Sequence, residues 1–552
     1  MNGASASPSL GRRLRSLLPN AADYRGFRRN WKGDLLAGVT VGIVALPLAL
    51  AFGVSSGAGA ASGLVTAIVA GAVAAVFGGS NVQVSGPTGA MVVVLAPIIA
   101  AHGLGALAAV GLLAGVIVLV AGMLRLGRAV ALIPWPVIEG FSLGIAVIIF
   151  LQQVPALLGV PAAAGESAVI GAIHALGEAS WPGALWTIGA VTIVATIMLA
   201  APRIHPLVPG PIIAIAIVTI IAVAAGAPVA TIGALPHGLP APALPALDPA
   251  SLRTLLPPAL TVAALAAIES LLSARVAASM ADTGEVDADR ELVGQGLASI
   301  ASALFGGMPA TGAIARTAVN VRSGAHSRVA AIVHALALLA IVLVGTALVA
   351  AIPLAALAGV LMVTATRMVA PSTVRAVLRS SRQDALVFVV TAVVTVSVDL
   401  ITAVLVGVAF TGLLALRNLA RSSGVHREEL PGAAEPGDER IALFRLDGAL
   451  FFGAAERMLE RIAALRDVDV VILRMSQLQL LDATGAQVVT ELIRALERRG
   501  ITVLVKGVQS RHLELVRRVG VIDSLRHRKH LFDSLDAAAE HARSHVRRAA
   551  LR

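Results

Sequence analysis

Apolar segments of about 20 residues recur along most of the chain, and this repetition limits the possible folds more than any other feature. They lie at residues 34–56, 58–79, 104–124, 132–154, 183–201, 207–227, 257–279, 289–307, 326–350, 352–370, 383–397 and 399–420. Charged residues make up only 14% of the chain, whereas soluble globular proteins carry about 25%. The pattern therefore predicts a polytopic α-helical membrane protein, with membrane lipid as its surroundings.

The basic residues lie on one side of this predicted arrangement. With a cytoplasmic N-terminus, the cytoplasmic loops hold Arg125 and Arg128, Arg203, and the arginines of 316–328 and 367–382. The opposite loops, around His102 and at 166–178 and 228–250, contain no lysine or arginine. The positive-inside rule then predicts an inner (plasma) membrane protein with both termini in the cytoplasm. The formal net charge of +11 is explained by basic residues in the cytoplasmic loops of a membrane protein, so no nucleic-acid partner is expected.

Two further segments, 80–101 and 306–323, begin with polar and helix-breaking residues. Pro-Thr-Gly-Ala at 87–90 is echoed by Pro-Ala-Thr-Gly-Ala at 309–313, and each of these motifs follows a Phe-Gly-Gly tripeptide, at 77–79 and 305–307. We predict that each is an extended stretch leading into a half-length helix. Matching interrupted segments in two halves of a membrane protein indicate a transporter's substrate site, although glycine and proline can also kink ordinary helices.

The predicted half-helices indicate a substrate of negative charge. A helix that starts near the membrane midplane directs unpaired N–H groups and the positive end of its dipole into the protein. We therefore expect a small anion to bind at Thr88, Gly89, Ala90, Thr311, Gly312 and Ala313. Arg316 either adds to this positive field or anchors the chain at the cytoplasmic surface.

Glu269 lies within an otherwise apolar predicted span, with Ser273 one helical turn later. A carboxylate in a span is costly unless it is paired, protonated or bound to an ion, so it is a functional candidate. We predict that Glu269 and Ser273 couple transport to a cation, either as metal ligands for Na⁺ or with Glu269 carrying a proton. A structural hydrogen bond is the alternative. Glu139, near the end of a span, is interpreted as structural.

The chain changes character after Arg421. We divide it into a basic N-terminal segment (1–33), a transmembrane domain (34–421), a linker (422–438) and a cytoplasmic domain (439–552). In the last part, residues 439–446, 468–473 and 501–505 are predicted strands and 485–499 a predicted helix, as in a small α/β domain. His512, His527 and His530 are interpreted as a solvated basic surface rather than as metal ligands.

Several stretches resemble the SulP/solute carrier 26 family of anion transporters, which carry a C-terminal STAS domain. The matching pieces are 34–43 with Pro47, 85–89 and 316–320, and in the tail 446–453 and 481–485. Residues 45–59 and 290–296 are most similar to the cyanobacterial sodium-dependent bicarbonate transporters of that family. Glu269 and Ser273 stand where those transporters have Asp and Thr in the sodium site, and a Glu there is similar to the proton-coupled members.

The resemblance implies about fourteen transmembrane segments in a 7+7 inverted repeat, with core and gate domains, elevator-like motion and a homodimer. It implies coupled transport of bicarbonate; a sulfate or dicarboxylate/H⁺ symporter, or an uncoupled exchanger or channel, is the alternative. We expect no enzyme activity and no cofactor beyond a Na⁺ coupling ion. Thr484 stands where related regulatory domains carry a phosphorylatable Ser, and the STAS domain is expected to have a cytoplasmic partner.

Overall fold

The computed structural model describes residues 17–24, 27–128, 133–161, 167–204, 208–236, 238–245, 249–280, 282, 284–422, 424–450 and 467–550. Glu166 and residues 451–453, used above for a loop and for the tail pattern, lie outside these ranges. The chain divides into two compact units, Met1–Val408 and Ala409–Arg552.

The first unit is helical. Its described helices are α1 (Phe27–Ser55), α2 (Ala60–Phe77), α3 (Gly89–His102), α4 (Gly105–Met123), α5 (Trp135–Gln152), α6 (Val154–Leu158), α7 (Ala168–Glu178), α8 (Trp181–Ile204), α9 (Gly210–Ala224), α10 (Pro249–Met280), α11 (Ala288–Leu304), α12 (Ile314–Arg322), α13 (Arg328–Ala350), α14 (Leu354–Met368), α15 (Pro371–Ser380) and α16 (Arg382–Ser397). Helix α17 (Leu400–Ser422) begins in this unit and ends in the second. Among the described helices, eight are long and apolar enough to cross a bilayer. The predicted helical membrane fold is thereby confirmed.

These helices pack in two groups. In one, α4 packs against α10 and α11, α11 against α2, and α13 against α1. In the other, α5 packs against α14 and α16, and α8 against α9 and α14. The groups meet where α1 contacts α9 and α14 and where α3 contacts α5. This division is the one expected for core and gate domains.

Glycine allows the closest helix contacts in the first group. A Cβ added to Gly115 on α4 would lie 2.8 Å from the Gly296 carbonyl oxygen on α11, and one on Gly122 would lie 2.8 Å from the Asp289 carbonyl oxygen. Small residues that let helix backbones approach are the usual means of packing in lipid, where apolar burial gives little driving force.

Both interrupted segments are extended and pair with each other. Strand β1 (Ser85–Gly86) runs antiparallel to β2 (Thr311–Gly312), with Ser85 opposite Gly312 and Gly86 opposite Thr311. The half-helices α3 and α12 begin within three residues of these strands. The predicted arrangement of an extended stretch followed by a half-helix is therefore confirmed in both halves.

Glu291, on α11, holds the chain that leads into β1. Its carboxylate accepts hydrogen bonds from the Gly79 and Ser80 amides at 2.8 and 3.2 Å. It also accepts bonds from the Gln83 and Gln295 side-chain amides, both at 2.9 Å. Non-helical backbone is tolerated at membrane depth only when the protein satisfies it, and Glu291 provides much of that satisfaction.

The Phe-Gly-Gly tripeptides mark places where no side chain fits. A Cβ on Gly79 would lie 1.9 Å from the Asp287 carbonyl oxygen, and one on Gly307 would lie 2.3 Å from Ser302 Oγ. At Gly79 and Gly307 the chain has just left α2 and α11, and its backbone packs directly against neighbouring atoms.

Two segments assigned to loops are helical. Residues 168–178 form α7 and residues 371–380 form α15. Each begins with a residue that starts helices well: Ser167 accepts a hydrogen bond from the Ile170 amide, and Pro371 stands at the first helical position. Their short length and mixed polarity hid them from a search for apolar spans.

The second unit carries a sheet of six strands: β3 (Gly424–Glu428), β4 (Ile441–Leu450), β5 (Val470–Arg474), β6 (Leu478–Leu481), β7 (Thr502–Lys506) and β8 (Leu531–Phe532). The order is β3-β4-β5-β7-β8, with β6 also paired to β4; all pairings are parallel except β3 with β4. Its helices are α18 (Ala483–Arg498), α19 (Ser510–Arg518) and α20 (Leu535–Ala550). The strands and the helix predicted in the tail are thus confirmed, and they form an α/β domain.

The structure corrects two interpretations of the tail. The segment assigned as a linker contains β3, which pairs with β4 and so belongs to the sheet. His512 and His530 are 7% and 2% exposed, so they do not form a solvated surface; only His527 is exposed. In the sequence these histidines stand among many arginines, so nothing there indicated that two of them are buried.

Replacement of Glu291 by Ala should destabilise the first unit strongly. Four donors would lose their acceptor, and an unsatisfied buried donor costs about 1–3 kcal/mol. We expect a clearly lower melting temperature for the purified chain in detergent. Glu178→Ala, at an exposed position, is the control and should melt like the wild type; equal melting of Glu291→Ala would contradict the role given to this carboxylate.

Candidate functional site

The half-helices α3 and α12 both begin without a side-chain cap. Thr88 occupies the N-cap position of α3, yet within the described chain its side chain makes no capping hydrogen bond. The N-cap of α12 is Ala313, which has no polar side chain. The first N–H groups of a helix have no partner inside it, so both helix ends present donors and the positive end of the dipole.

The hydroxyl of Thr88 forms a hydrogen bond with Glu269 of α10 instead of capping α3. Thr88 Oγ1 donates to Glu269 Oε2 at 2.8 Å, and Thr311 Oγ1 donates to the same oxygen at 2.8 Å. The two threonine oxygens lie 3.2 Å apart. One carboxylate oxygen thus joins the segments that lead into both half-helices.

The backbone amides of two further predicted residues are already bonded within the protein. The Gly312 amide donates to Ser270 Oγ at 3.0 Å, and the Ala313 amide donates to the Val84 carbonyl at 2.8 Å. These two N–H groups are therefore not free for an anion, in contrast to the prediction, because β2 needs them to fix its own position. The next amides, from Ile314 onward, form the N-terminal end of α12.

Ser273 does not pair with Glu269 in this conformation. Its hydroxyl lies 3.3 Å from Thr317 Oγ1, and Thr317 Oγ1 accepts a hydrogen bond from the Val84 amide at 3.0 Å. Ser273 is one turn away from Glu269 on the same helix, as predicted, but its contacts are with α12. The oxygen atoms grouped with Glu269 are those of Thr88 and Thr311.

Arg316 lies inside the protein and not at a membrane surface. Its side chain is 2% exposed, and Nη2 donates to the Pro87 carbonyl. Nη1 is buried and has no hydrogen-bond partner among the described residues. The alternative that Arg316 anchors the chain at the cytoplasmic surface is therefore wrong. Its guanidinium instead places positive charge beside the paired strands β1 and β2.

Two apolar side chains cover the start of α3. A Cβ added to Gly89 would lie 2.2 Å from Ile149 Cδ1 on α5 and 3.5 Å from Phe52 Cε1 on α1. Ala90 is also buried. Because α5 belongs to the second helical group, the end of α3 faces the boundary between the groups.

Sequence reasoning missed several residues around this junction. Ser270 and Thr317 bond to the crossing strands, and nothing in their spacing marks them. His334 on α13 is fully buried, and both its ring nitrogens lack partners within the described ranges. His334 is an ionisable residue in an apolar helix. The criterion that singled out Glu269, an ionisable side chain within a predicted span, would also have found it.

Thr484 lies in the second unit, exposed in the first turn of α18. Asp482 caps this helix and accepts a hydrogen bond from the Gly485 amide at 2.7 Å. A phosphate at a helix start is stabilised by the dipole, and phosphorylation of Thr484 stays a prediction.

Residues 31–391 match the sulfate permease family, and residues 434–538 match the STAS domain. The chain belongs to the sulfate permease (SulP) family. A putative sulfate transporter of Bacillus subtilis is 34% identical over 93% of this chain and 98% of its own length. The bicarbonate transporter BicA of a Synechocystis species is 33% identical over 87% of this chain and 88% of its own.

Solved structures agree with this membership. The transmembrane domain of a cyanobacterial bicarbonate transporter, BicA, is 35% identical, with a TM-score of 0.63 over 68% of this chain and 98% of that one. Murine Solute Carrier 26 family member A9, an anion transporter solved in the inward-facing state, shares the fold with a TM-score of 0.83 over 98% of this chain and 96% of that one, at 18% identity. This SulP chain is therefore an anion transporter with a STAS domain, and its relatives are named transporters rather than enzymes.

A bulky side chain at Gly89 should block the helix end. We expect Gly89→Leu to reduce the affinity for the transported anion at least about tenfold, a loss of about 1.4 kcal/mol, because the new side chain would have to displace Ile149 and would cover the start of α3. Competition of unlabelled anion with labelled uptake measures this. Gly105→Leu is the matched control, since a Cβ there meets nothing within 4 Å; unchanged affinity in Gly89→Leu would contradict the placement of the site.

Proposed function

We propose that this SulP transporter carries bicarbonate by secondary active transport, coupled to Na⁺ or H⁺ through Glu269. The observation that carries the proposal is the shared carboxylate oxygen of Glu269, which accepts hydrogen bonds from Thr88 and Thr311 beside the two half-helix ends. An anion bound between those ends would lie next to this carboxylate.

Electrostatics gives the reason for coupling. Two like charges about 4 Å apart repel by about 4 kcal/mol at the effective dielectric constant of a protein near its surface. An ionised Glu269 therefore opposes anion binding, and a proton or Na⁺ on Glu269 removes the repulsion. Arg316 supports the anion in either state, since a guanidinium stays charged.

The oxygen atoms that surround Glu269 suit either cation. Thr88 and Thr311 can turn their hydroxyl oxygens toward a Na⁺ on the carboxylate, which is the kind of oxygen ligand that hard cations prefer. The same hydroxyls can accept the proton of a neutral carboxylic acid. Glu269 is half-buried, and the proposal requires that its exposed part faces the path of the ion.

The relatives include named bicarbonate transporters and named sulfate transporters; we propose bicarbonate, with sulfate as the second candidate. The BicA relatives and the BicA transmembrane structure are named for bicarbonate. A relative that matches more of the chain is named as a putative sulfate transporter. A site built from helix ends recognises charge and size loosely, so both anions suit the geometry.

We further propose an inner-membrane homodimer that moves its core against its gate, with both termini in the cytoplasm. The basic loops support this orientation, and the resemblance to the solute carrier 26 family supports the dimer. The STAS domain would then meet its partner in the cytoplasm.

Uptake into proteoliposomes tests the substrate and the coupling. Labelled bicarbonate (at alkaline pH, where CO₂ is scarce), sulfate and fumarate are each offered with a Na⁺ gradient, an H⁺ gradient or neither. We expect bicarbonate to accumulate only with one of the two gradients, and that gradient names the ion on Glu269. Accumulation of sulfate or fumarate alone would reject bicarbonate, and gradient-independent flux would reject coupling.

Glu269→Gln should abolish gradient-driven accumulation while the chain still folds and exchanges anion. A glutamine keeps an oxygen acceptor for Thr88 and Thr311 but cannot take up a proton, and it binds Na⁺ without charge neutralisation. The control is Glu139→Gln, at a carboxylate that accepts a hydrogen bond from Trp135 on α5 and should retain accumulation. Full accumulation by Glu269→Gln would remove Glu269 from the coupling role.

A further inference from the structure

Three histidines come together in the STAS domain. Potential ligand nitrogens of His530, His541 and His545 all lie within 4.8 Å of one another. The ring centroids of His541 and His545 are 4.9 Å apart, and that of His530 is 5.5 and 5.6 Å from them.

Two structural elements bring these rings together. His541 and His545 are one turn apart on α20, whose Ala538, Ala542 and Val546 pack against the sheet. His530 ends the short turn that enters β8, and β8 pairs with β7 through Val505 and Leu531. The cluster therefore bridges the C-terminal helix and the last strand of the sheet.

The rings lack the hydrogen bonds that buried histidines usually make. His530 is 2% exposed, yet its Nδ1 has no partner in the part of the chain that the structure describes. The same holds for His541 Nε2. Leaving such nitrogens unpaired is unfavourable, and these two belong to neighbouring rings whose planes are inclined by 61°.

The surroundings of the three rings disfavour their protonated form. Burial and the nearby His541 and His545 lower the pKa of His530 to about 4. Burial also lowers the pKa of His541, with Arg548 adding to the effect, and lowers that of His545, with His541 adding to it. Metal binding requires the neutral form of imidazole; the grouping of the ring nitrogens carries the proposal that follows.

We propose that His530, His541 and His545 bind a Zn²⁺ ion that fastens α20 to the β8 end of the sheet. Two histidines at i and i+4 on a helix are a recurrent zinc-binding spacing, and imidazole nitrogen suits Zn²⁺. Zinc–nitrogen bonds of about 2.0–2.1 Å require ligand atoms about 3.3 Å apart in a tetrahedron, so the rings must draw together slightly. His527, whose ring centroid is 5.4 Å from that of His530, or a water takes the fourth position.

Cobalt spectroscopy on the full chain tests the site. The protein is purified in detergent with an affinity tag that contains no histidine, stripped with EDTA and titrated with CoCl₂, then with ZnCl₂. We expect one equivalent of Co²⁺ to give the visible absorption of tetrahedral nitrogen coordination, and Zn²⁺ to displace it. Zn²⁺ should also raise the melting temperature of the STAS domain, because an ion that binds only the folded state stabilises it.

Variants decide which residues bind. His541→Ala and His545→Ala should each weaken Co²⁺ binding at least about tenfold, and His530→Ala should do the same if it folds. His426→Ala, at an exposed histidine of β3, is the control and should bind like the wild type. Absence of stoichiometric Co²⁺ uptake, or uptake unchanged in the His541→Ala/His545→Ala double variant, would overturn the proposal.

Discussion

Two stretches of chain leave helical geometry inside the membrane-spanning unit, and lipid cannot hydrogen-bond any of their backbone groups. The antiparallel pair β1–β2 satisfies part of this need. Side chains satisfy more: Asn320 donates to the Val82 carbonyl, Arg316 to the Pro87 carbonyl, and Thr317 accepts from the Val84 amide. These three side chains all lie on α12, and Ser270 of α10 accepts a hydrogen bond from the Gly312 amide. The strand pair is therefore held from two helices, and the ends of α3 and α12 are fixed by it.

Glu269 places an ionisable group beside the paired strands β1 and β2. Its carboxylate joins Thr88 and Thr311 through one oxygen, so its charge is felt at both helix ends. A protein that only needed to fasten the strands could use a neutral amide here. A group that changes charge with its bound cation can instead make anion binding conditional on that cation, which is what coupling requires.

The sequence predicted the architecture well because its signals were repeated and strong. Long apolar spans, two matching Thr-Gly-Ala segments and alternating strands and helices in the tail each gave the right kind of element. Thr88, Thr311 and Glu269 were also singled out as site residues, but the contact of Glu269 with the two threonines was not predicted, and the predicted pairing of Glu269 with Ser273 is not seen. Short helices such as α7 escaped detection, since they are neither apolar throughout nor long.

Other features depend on contacts between residues distant in sequence. Glu291 is separated from Gly79 by more than 200 residues, and no local pattern connects them. The same applies to the histidines: His530 and His545 meet only because β8 and α20 pack side by side, so their burial and their grouping were invisible. That the Gly312 amide is taken by Ser270 follows from the exact position of α10, which spacing alone does not give.

The affinity of the purified full chain for bicarbonate, measured by calorimetry with and without Na⁺ and across pH, tests the central claim most directly. The account predicts that one cation strengthens anion binding to the wild type, and that Glu269→Gln binds the anion equally well whether or not that cation is present. Equal bicarbonate affinity of the wild type under all these conditions would contradict the claim that the charge on Glu269 controls the anion site.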